Sequence, residues 1–264
     1  MADWWPFDRS WVDECKRGFA GLISASSAAA ASLGLPQPGL GGPFGMLVDA
    51  ATTWLIGTKR TFRFPEGELT MVLTDISVEG SDLARIIGQY GQVRILGRDV
   101  EWDGYRFERL EIQVRNLHLR PGKQPTLVAA PVICEAFMPV PAASRWLATI
   151  SSQLELVLRD GVPHVGVIGA PWARLEVEAG AGGRSALIRA RALRLGDLRL
   201  SLWSPTFTVE LPVLPGGAIL TSVESAPGGF IMRGTLGEWQ RSLSREGVER
   251  LLAGIRAGQD QLDL

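Results

Sequence analysis

The sequence predicts an α+β, mostly β fold: a long, strongly curved antiparallel sheet wrapped around or covered by a few short helices. Three observations predict it. From about residue 61 apolar residues recur with a period of two over several segments. Two Asp-Gly pairs, Asp103-Gly104 and Asp160-Gly161, each sit between two such segments, where a two-residue type I′ turn joins neighbouring strands. Segments with helical spacing are few and short. Hairpins are local, so βαβ crossovers are not expected.

The chain has 264 residues, 46% of them hydrophobic and 21% charged, with a net charge of −1. That length buries a sizeable core, and the charge gives no general attraction to nucleic acid. Only Lys16, Lys59 and Lys123 are lysines among 27 basic residues. Arginine suits bidentate work on phosphate or carboxylate, and codon composition accounts for the bias equally well. Cys15 and Cys134 form neither a disulfide framework nor a metal motif.

Residues 1–40 read as a Trp-rich, low-complexity appendage, 41–237 as the β domain, and 238–264 as a C-terminal helix and tail. Residues 19–35, FAGLISASSAAAASLGL, are too short and too polar to span a bilayer. Asp3, Asp8, Asp13 and Glu14 occupy the place of a positive signal-peptide region. The expectation is therefore a cytoplasmic chain, with peripheral contact at the inner membrane face and an envelope location both left open.

Pro43 suits the first turn of a helix, on which Phe44, Leu47, Val48, Ala51 and Leu55 form one stripe. Leu69, Met71 and Leu73 then alternate, with Ile76 and Val78 after a phase slip. Ser81 and Asp82 cap a short helix carrying Leu83, Ile86, Ile87 and Tyr90, and Gly91 stops it. Around Asp103-Gly104, Trp102 should oppose Tyr105, Glu101 Arg106 and Val100 Phe107. Further out, Val93 and Ile95 oppose Val114 and Ile112, so the apolar face must switch in both strands through a bulge or strong twist.

Val140-Pro141 opens a helix with Ala143, Trp146, Leu147 and Ile150 on one face. The Asp160-Gly161 hairpin then puts Leu154, Leu156 and Leu158 on one face with Val165 and Val167. Helix, strand, Asp-Gly turn and strand thus occur twice, a loose architectural repeat. Strands follow near 172–178, 186–195, 198–203, 206–213, 218–225 and 229–236. A helix from Ser244 carries Val248, Leu251, Leu252 and Ile255, and the tail GQDQLDL reads as frayed.

No catalytic or cofactor chemistry is legible, and the expectation is a protein that is not an enzyme. His118 and His164 are the two histidines, and each reads as a strand residue. There is no zinc spacing, no nucleophile elbow and no phosphate loop. The glycine clusters 39–45 and 180–183 read as turns. Two features suit binding. Apolar strand faces exceed what a few short helices cover, so the sheet must curl on itself, pack on another sheet or cover a ligand. Arg184, Arg189, Arg191, Arg194 and Arg199 stand against Asp197 alone within one stretch, and Arg189 and Arg191 share a face suited to head-group phosphates. The candidate lipid-binding residues are Leu69, Met71, Leu73, Trp102, Phe107, Ile112, Leu154, Leu156 and Val165. Arg189 and Arg191 are the head-group candidates. Trp4, Trp5 and Trp11 are candidates for contact with a membrane or a protein partner.

Three segments, in order, carry a family likeness: GQYGQVRILGRDVEWDGYRFERLEIQVRNLHLRP, VPAASRWLATI and LPVLPGGAILTSVESAPGGFIMRGTL. Across roughly 43–237 the chain resembles the LmeA-like phospholipid-binding family of bacterial cell-envelope proteins, itself related to tubular lipid-binding proteins. The resemblance implies a curved sheet around a helix, an apolar groove for phospholipid, phosphoinositides included, and a part in envelope lipid upkeep. It implies no catalytic residues and no cofactor. The Trp-rich acidic N-terminus and the C-terminal helix depart from the family pattern. The alternative is a scaffold on the same fold, using the N-terminal segment or the C-terminal helix to hold a protein partner or a second copy.

Overall fold

The computed structural model describes residues 55–79, 91–120, 126–201, 205–242 and 261–263. The expected helix of 43–55 apart from Leu55, the expected helices of 81–90 and 244–255, and Trp4, Trp5 and Trp11 lie outside these residues. The chain runs through β1 (Lys59–Phe64), β2 (Gly67–Val78), β3 (Val93–Trp102), β4 (Tyr105–Val114), β5 (His118–Arg120), β6 (Thr126–Ala129) and β7 (Val132–Pro139). After helix α1 (Val140–Ile150) come β8 (Leu154–Arg159), β9 (Val162–Val167), β10 (Ala173–Ala181), β11 (Ser185–Leu195), β12 (Leu198–Ser201) and β13 (Thr206–Glu210). β14 (Ile219–Ala226), β15 (Gly229–Leu236), β16 (Trp239–Ser242) and β17 (Gln261–Asp263) complete it. The fold is mostly β and antiparallel, as expected. The strands are divided among three sheets instead of one long sheet.

The first sheet has eight strands in the order β14-β15-β7-β4-β3-β2-β1-β17, the second follows β12-β11-β10-β9-β8 with β13 also on β11, and the third is β16-β6-β5. Only the β1–β17 pair is parallel among these ladders. Gln261–Asp263, in the tail read as frayed, thus forms an edge strand. Trp239–Ser242, assigned to the C-terminal unit, pairs with β6.

Local chemistry sets the hairpins. Asp103 and Gly104 have φ of 48° and 82°, and Asp160 and Gly161 have 52° and 77°. Both central residues in the left-handed region make the turn twist with its strands. The predicted pairs Trp102–Tyr105, Glu101–Arg106, Val100–Phe107, Ile95–Ile112 and Val93–Val114 all form. The face switch is made at Asp99, whose φ is 52°. β3 there exposes Arg98 and Asp99 in succession, with Gly97 and Val100 buried on either side. The neighbouring β2–β3 ladder shifts register between Thr70 and Val72 and again between Leu73 and Asp75. Such shifts bend a sheet.

The core forms around the first sheet. Leu55, Phe62, Leu69, Met71, Leu73, Val100 and Trp102 make one cluster. Val93, Leu117, Leu127, Ala129 and Val132 make a second, joining the three-stranded sheet to the first. Met138, Ala142, Ala143 and Phe230 make a third, against α1. Pro141 starts α1, where its missing N–H costs nothing. The helix packs mainly against β8, and Ser144 Oγ donates to the Leu156 carbonyl at 3.1 Å. That hydrogen bond occupies one acceptor on the outer edge of the second sheet.

Gly229 sits where β15 meets the end of β7. A Cβ there would lie 2.3 Å from the Met138 carbonyl oxygen and 2.9 Å from the Pro139 Cα, backbone atoms that do not yield. Gly229→Ala should lower stability by about 2 kcal/mol or more in urea unfolding. Gly237→Ala, with open space around its Cβ, should stay within about 0.5 kcal/mol of the parent.

Candidate functional site

The second sheet is two-faced. Directly opposed residues share a face, and the ladders pair Leu156 with Val165, Leu158 with Pro163, and Leu154 with Val167. Leu175 continues that face from Val165. The β10–β11 ladder adds Leu175–Leu193, Val177–Ala190 and Ala179–Ile188, with a register shift after Glu176 that leaves Arg191 unpaired. β12 adds Leu198 and Leu200, and β13 adds Phe207 and Val209. Among the described residues this face holds no polar side chain from one edge of the sheet to the other.

Against it lies the first sheet, closed at one corner by the backbone bridge between Gly183 and Leu220. Leu220 N donates to the Gly183 oxygen there at 2.7 Å. Between the sheets runs an apolar cleft of about 100 Å³. Trp102, Tyr105, Phe107, Met138, Val223, Phe230 and Met232 line it from the first sheet. Leu156, Pro163, Val165, Val177, Ala179, Ala186 and Ile188 line it from the second. α1 adds Ala143, Trp146 and Leu147, and the segment after β13 adds Leu211, Pro212 and Leu214. That segment is a strap tied down at two points. Trp102 Nε1 donates to the Val213 carbonyl at 3.1 Å, and Gly216 N donates to Glu66 Oε2 at 3.4 Å. The tryptophan thereby satisfies its only donor and presents the cleft with hydrocarbon alone.

Of the residues expected to bind lipid, Trp102, Phe107, Leu156 and Val165 line the cleft. Leu154 lies on the same apolar face of the second sheet, beyond the lining. Leu69, Met71 and Leu73 belong to the first core cluster, and Ile112 packs against the second; none of these four reaches the cleft. Their placement differs because alternation marks a buried face without saying what covers it. The sequence reading missed Met138, Phe230, Met232, Ala179, Ile188 and the strap. The signal for the strap was the Leu-Pro-Val-Leu-Pro-Gly-Gly run, whose prolines cannot supply ladder hydrogen bonds.

The opposite face of the second sheet carries the charge. Glu176 is 7% exposed at its side chain and accepts from Arg199 Nε at 2.9 Å and from Arg194 Nε. These two guanidinium groups pull its carboxyl down to about 2, against the opposing effect of burial. His164 Nε2 lies 3.8 Å from Glu176 Oε1, and its Nδ1 is 2.9 Å from the Val162 carbonyl. Arg174 pairs with Glu155 at 2.8 Å, and Arg191 with Glu178. Arg189 lies across from Glu178 in the ladder. Arg189 and Arg191 are both exposed and flank buried Ala190, so they stand on the face turned away from the cleft. Cys134 is pushed up to about 11 by burial, which leaves it a neutral thiol. Among the described residues no three His, Cys, Asp or Glu side chains gather to hold a metal, and no helix is long and apolar enough to cross a membrane.

Comparison with known protein families, with curated proteins and with solved structures finds no match. The likeness to the LmeA-like family rests on the quoted segments alone.

Glu176 gives the site a pH signature. Its carboxyl is lowered in the folded chain, so the stabilisation is full above the ordinary value of 4.5 and is lost as pH falls toward about 2. The urea midpoint should drop across that window. Glu176→Gln should flatten this part of the acid limb and lower the midpoint at neutral pH, since Arg194 and Arg199 then lose their shared partner.

Proposed function

We propose that this protein binds lipid acyl chains, without catalysis, in the cleft between its two larger sheets. One observation carries the reading: twenty residues from both sheets, α1 and the strap surround the cleft, and the surface they present to it is almost wholly hydrocarbon. A site that selected a polar metabolite would aim buried donors or acceptors inward. Here the Trp102 donor is spent on the strap, and the ion pairs of the second sheet are on its other face.

The energetics favour an apolar occupant. An empty apolar cavity costs about 24 cal/mol per Å³, so a void of about 100 Å³ costs roughly 2 kcal/mol. Each methylene buried from water contributes about 0.8 kcal/mol, or about 10 kcal/mol for a 14-carbon chain before ordering costs. Ligand sites usually exceed about 300 Å³, so the cleft as it stands takes part of a chain. Half-buried Tyr105, Trp146 and Leu214 at the lining are the groups whose movement admits more. A phospholipid is the proposed ligand class, in line with the resemblance; whether the lipid is carried or sensed, and any part in cell-envelope upkeep, belong to the same proposal.

The test is solvent extraction of the natively purified chain followed by mass spectrometry, alongside titration with a fluorescent fatty acid. Co-purifying lipid and saturable uptake are expected. Ala179→Trp fills the cleft from β10 and should cut uptake about tenfold or more while the chain stays folded by circular dichroism. Absence of both lipid and uptake in the parent would refute the reading. It would favour the scaffold alternative, in which the N-terminal segment or the C-terminal helix holds a protein partner or a second copy.

A further inference from the structure

Six large apolar side chains that are strongly exposed, Ile150, Val167, Ile168, Trp172, Leu198 and Leu200, gather at one end of the second sheet. The ladders and loops place them together. β8 starts beside the end of β9, through the Leu154–Val167 pair, and β11 ends beside the start of β12, through Leu195–Leu198. Ile168 N donates to the Gln153 carbonyl, and Gly196 N to the Trp172 carbonyl, each at 2.8 Å. Ile150 ends α1 just before β8. The loop between β9 and β10, residues 168–172, reads IGAPW and holds no charge. Ile168 and Trp172 are each 63% exposed in it.

A cationic display stands one residue behind this tip. Arg174, Arg194 and Arg199 are neighbours in one row across β10, β11 and β12. Arg194 and Arg199 are 43% and 51% exposed, while the Glu176 carboxylate they share is 7% exposed. The carboxylate that Arg194 and Arg199 share is therefore inside and their two guanidinium groups face outward, whereas Arg174 is 11% exposed against Glu155 at 39%, and Asp197 in the β11–β12 turn is exposed at the tip. Apolar side chains with an interfacial tryptophan ahead of a row of arginines match a bilayer, hydrocarbon ahead of phosphate. The tip also continues the cleft's own surface, since Val167 and Leu175 extend the face of Val165 and Val177.

We propose that this end of the second sheet docks onto a phospholipid bilayer, with Ile168, Trp172 and Leu198 entering the interface and Arg194 and Arg199 meeting lipid phosphates. The proposal rests on the lipid-binding reading for its purpose: it names the surface from which the cleft is loaded. Flotation of the full chain with vesicles of phosphatidylcholine and phosphatidylglycerol in equal parts tests it. The parent should float with the vesicles, and less so in high salt. The Ile168→Ser/Trp172→Ser double variant should lose about tenfold in vesicle partitioning. It should keep the parent's urea midpoint and its uptake of fluorescent fatty acid from solution. Leu198→Ser, on a different strand, should give a smaller loss in the same direction. Equal flotation of parent and double variant overturns the proposal. So does a parent that ignores vesicles but forms a dimer which the double variant dissolves, because the tip is then a contact between copies. Failure of fatty-acid uptake with intact, tip-dependent flotation would sink the cleft reading and leave the membrane contact standing.

Discussion

The structure depends on one constraint: the described side chains on one face of the second sheet are all apolar, and inside its exposed margins that face must be kept from water. Burial is worth about 25 cal/mol per Å² of apolar surface, and besides the first sheet the described residues offer a single eleven-residue helix and the strap to cover it. The first sheet answers with Trp102, Phe107, Met138 and Phe230. The two sheets meet closely at the Gly183–Leu220 bridge and are spaced by α1, which packs chiefly on β8. An interval remains between them, and the strap residues Leu211, Pro212 and Leu214 line it.

The charged face is the counterpart that keeps the apolar one unmixed. Glu176 on β10 draws Arg194 from β11 and Arg199 from β12, three strands stitched by one carboxylate. Exposed ion pairs are individually weak. This one differs because the carboxylate is buried, where it would be an uncompensated charge without the two arginines. A one-residue slip of β11 would turn arginines into the cleft and leucines outward. The network opposes that slip, and the register shift at Arg191 sits where the edge partner changes from β12 to β13.

Much of this is local and therefore legible in the sequence. The Asp-Gly turns need left-handed backbone, so they mark hairpins and their registers, including the pairing of Val157 with His164. The face switch of β3 and β4 follows from the same register, because Val100 and Val93 cannot share a side of an unbroken strand. α1 is legible from its proline and its spacing. What escaped was long-range. β6 and β7 carry no legible alternation: Val132–Pro139 lies inside its sheet and is apolar nearly throughout, and Thr126–Ala129 buries three of its four residues in succession. The pairings of β7 with β4 and β15 join segments far apart in the chain, and nothing in either segment names its partner. For the same reason Leu69 and Leu156 looked alike. One is core and the other lines the cleft, a difference made by the layer above each and not by its own strand. Glu176 went unnoticed because its two arginines come from other strands.

The central claim is that the interval between the sheets is a hydrocarbon site. X-ray diffraction from crystals of the chain purified from its cells without detergent tests it most directly. The account predicts continuous, unbranched electron density between Trp102, Leu156, Val177 and Phe230, with the Trp102–Val213 hydrogen bond retained. Side chains meeting across that interval, or ordered waters hydrogen-bonded within it, would contradict the account.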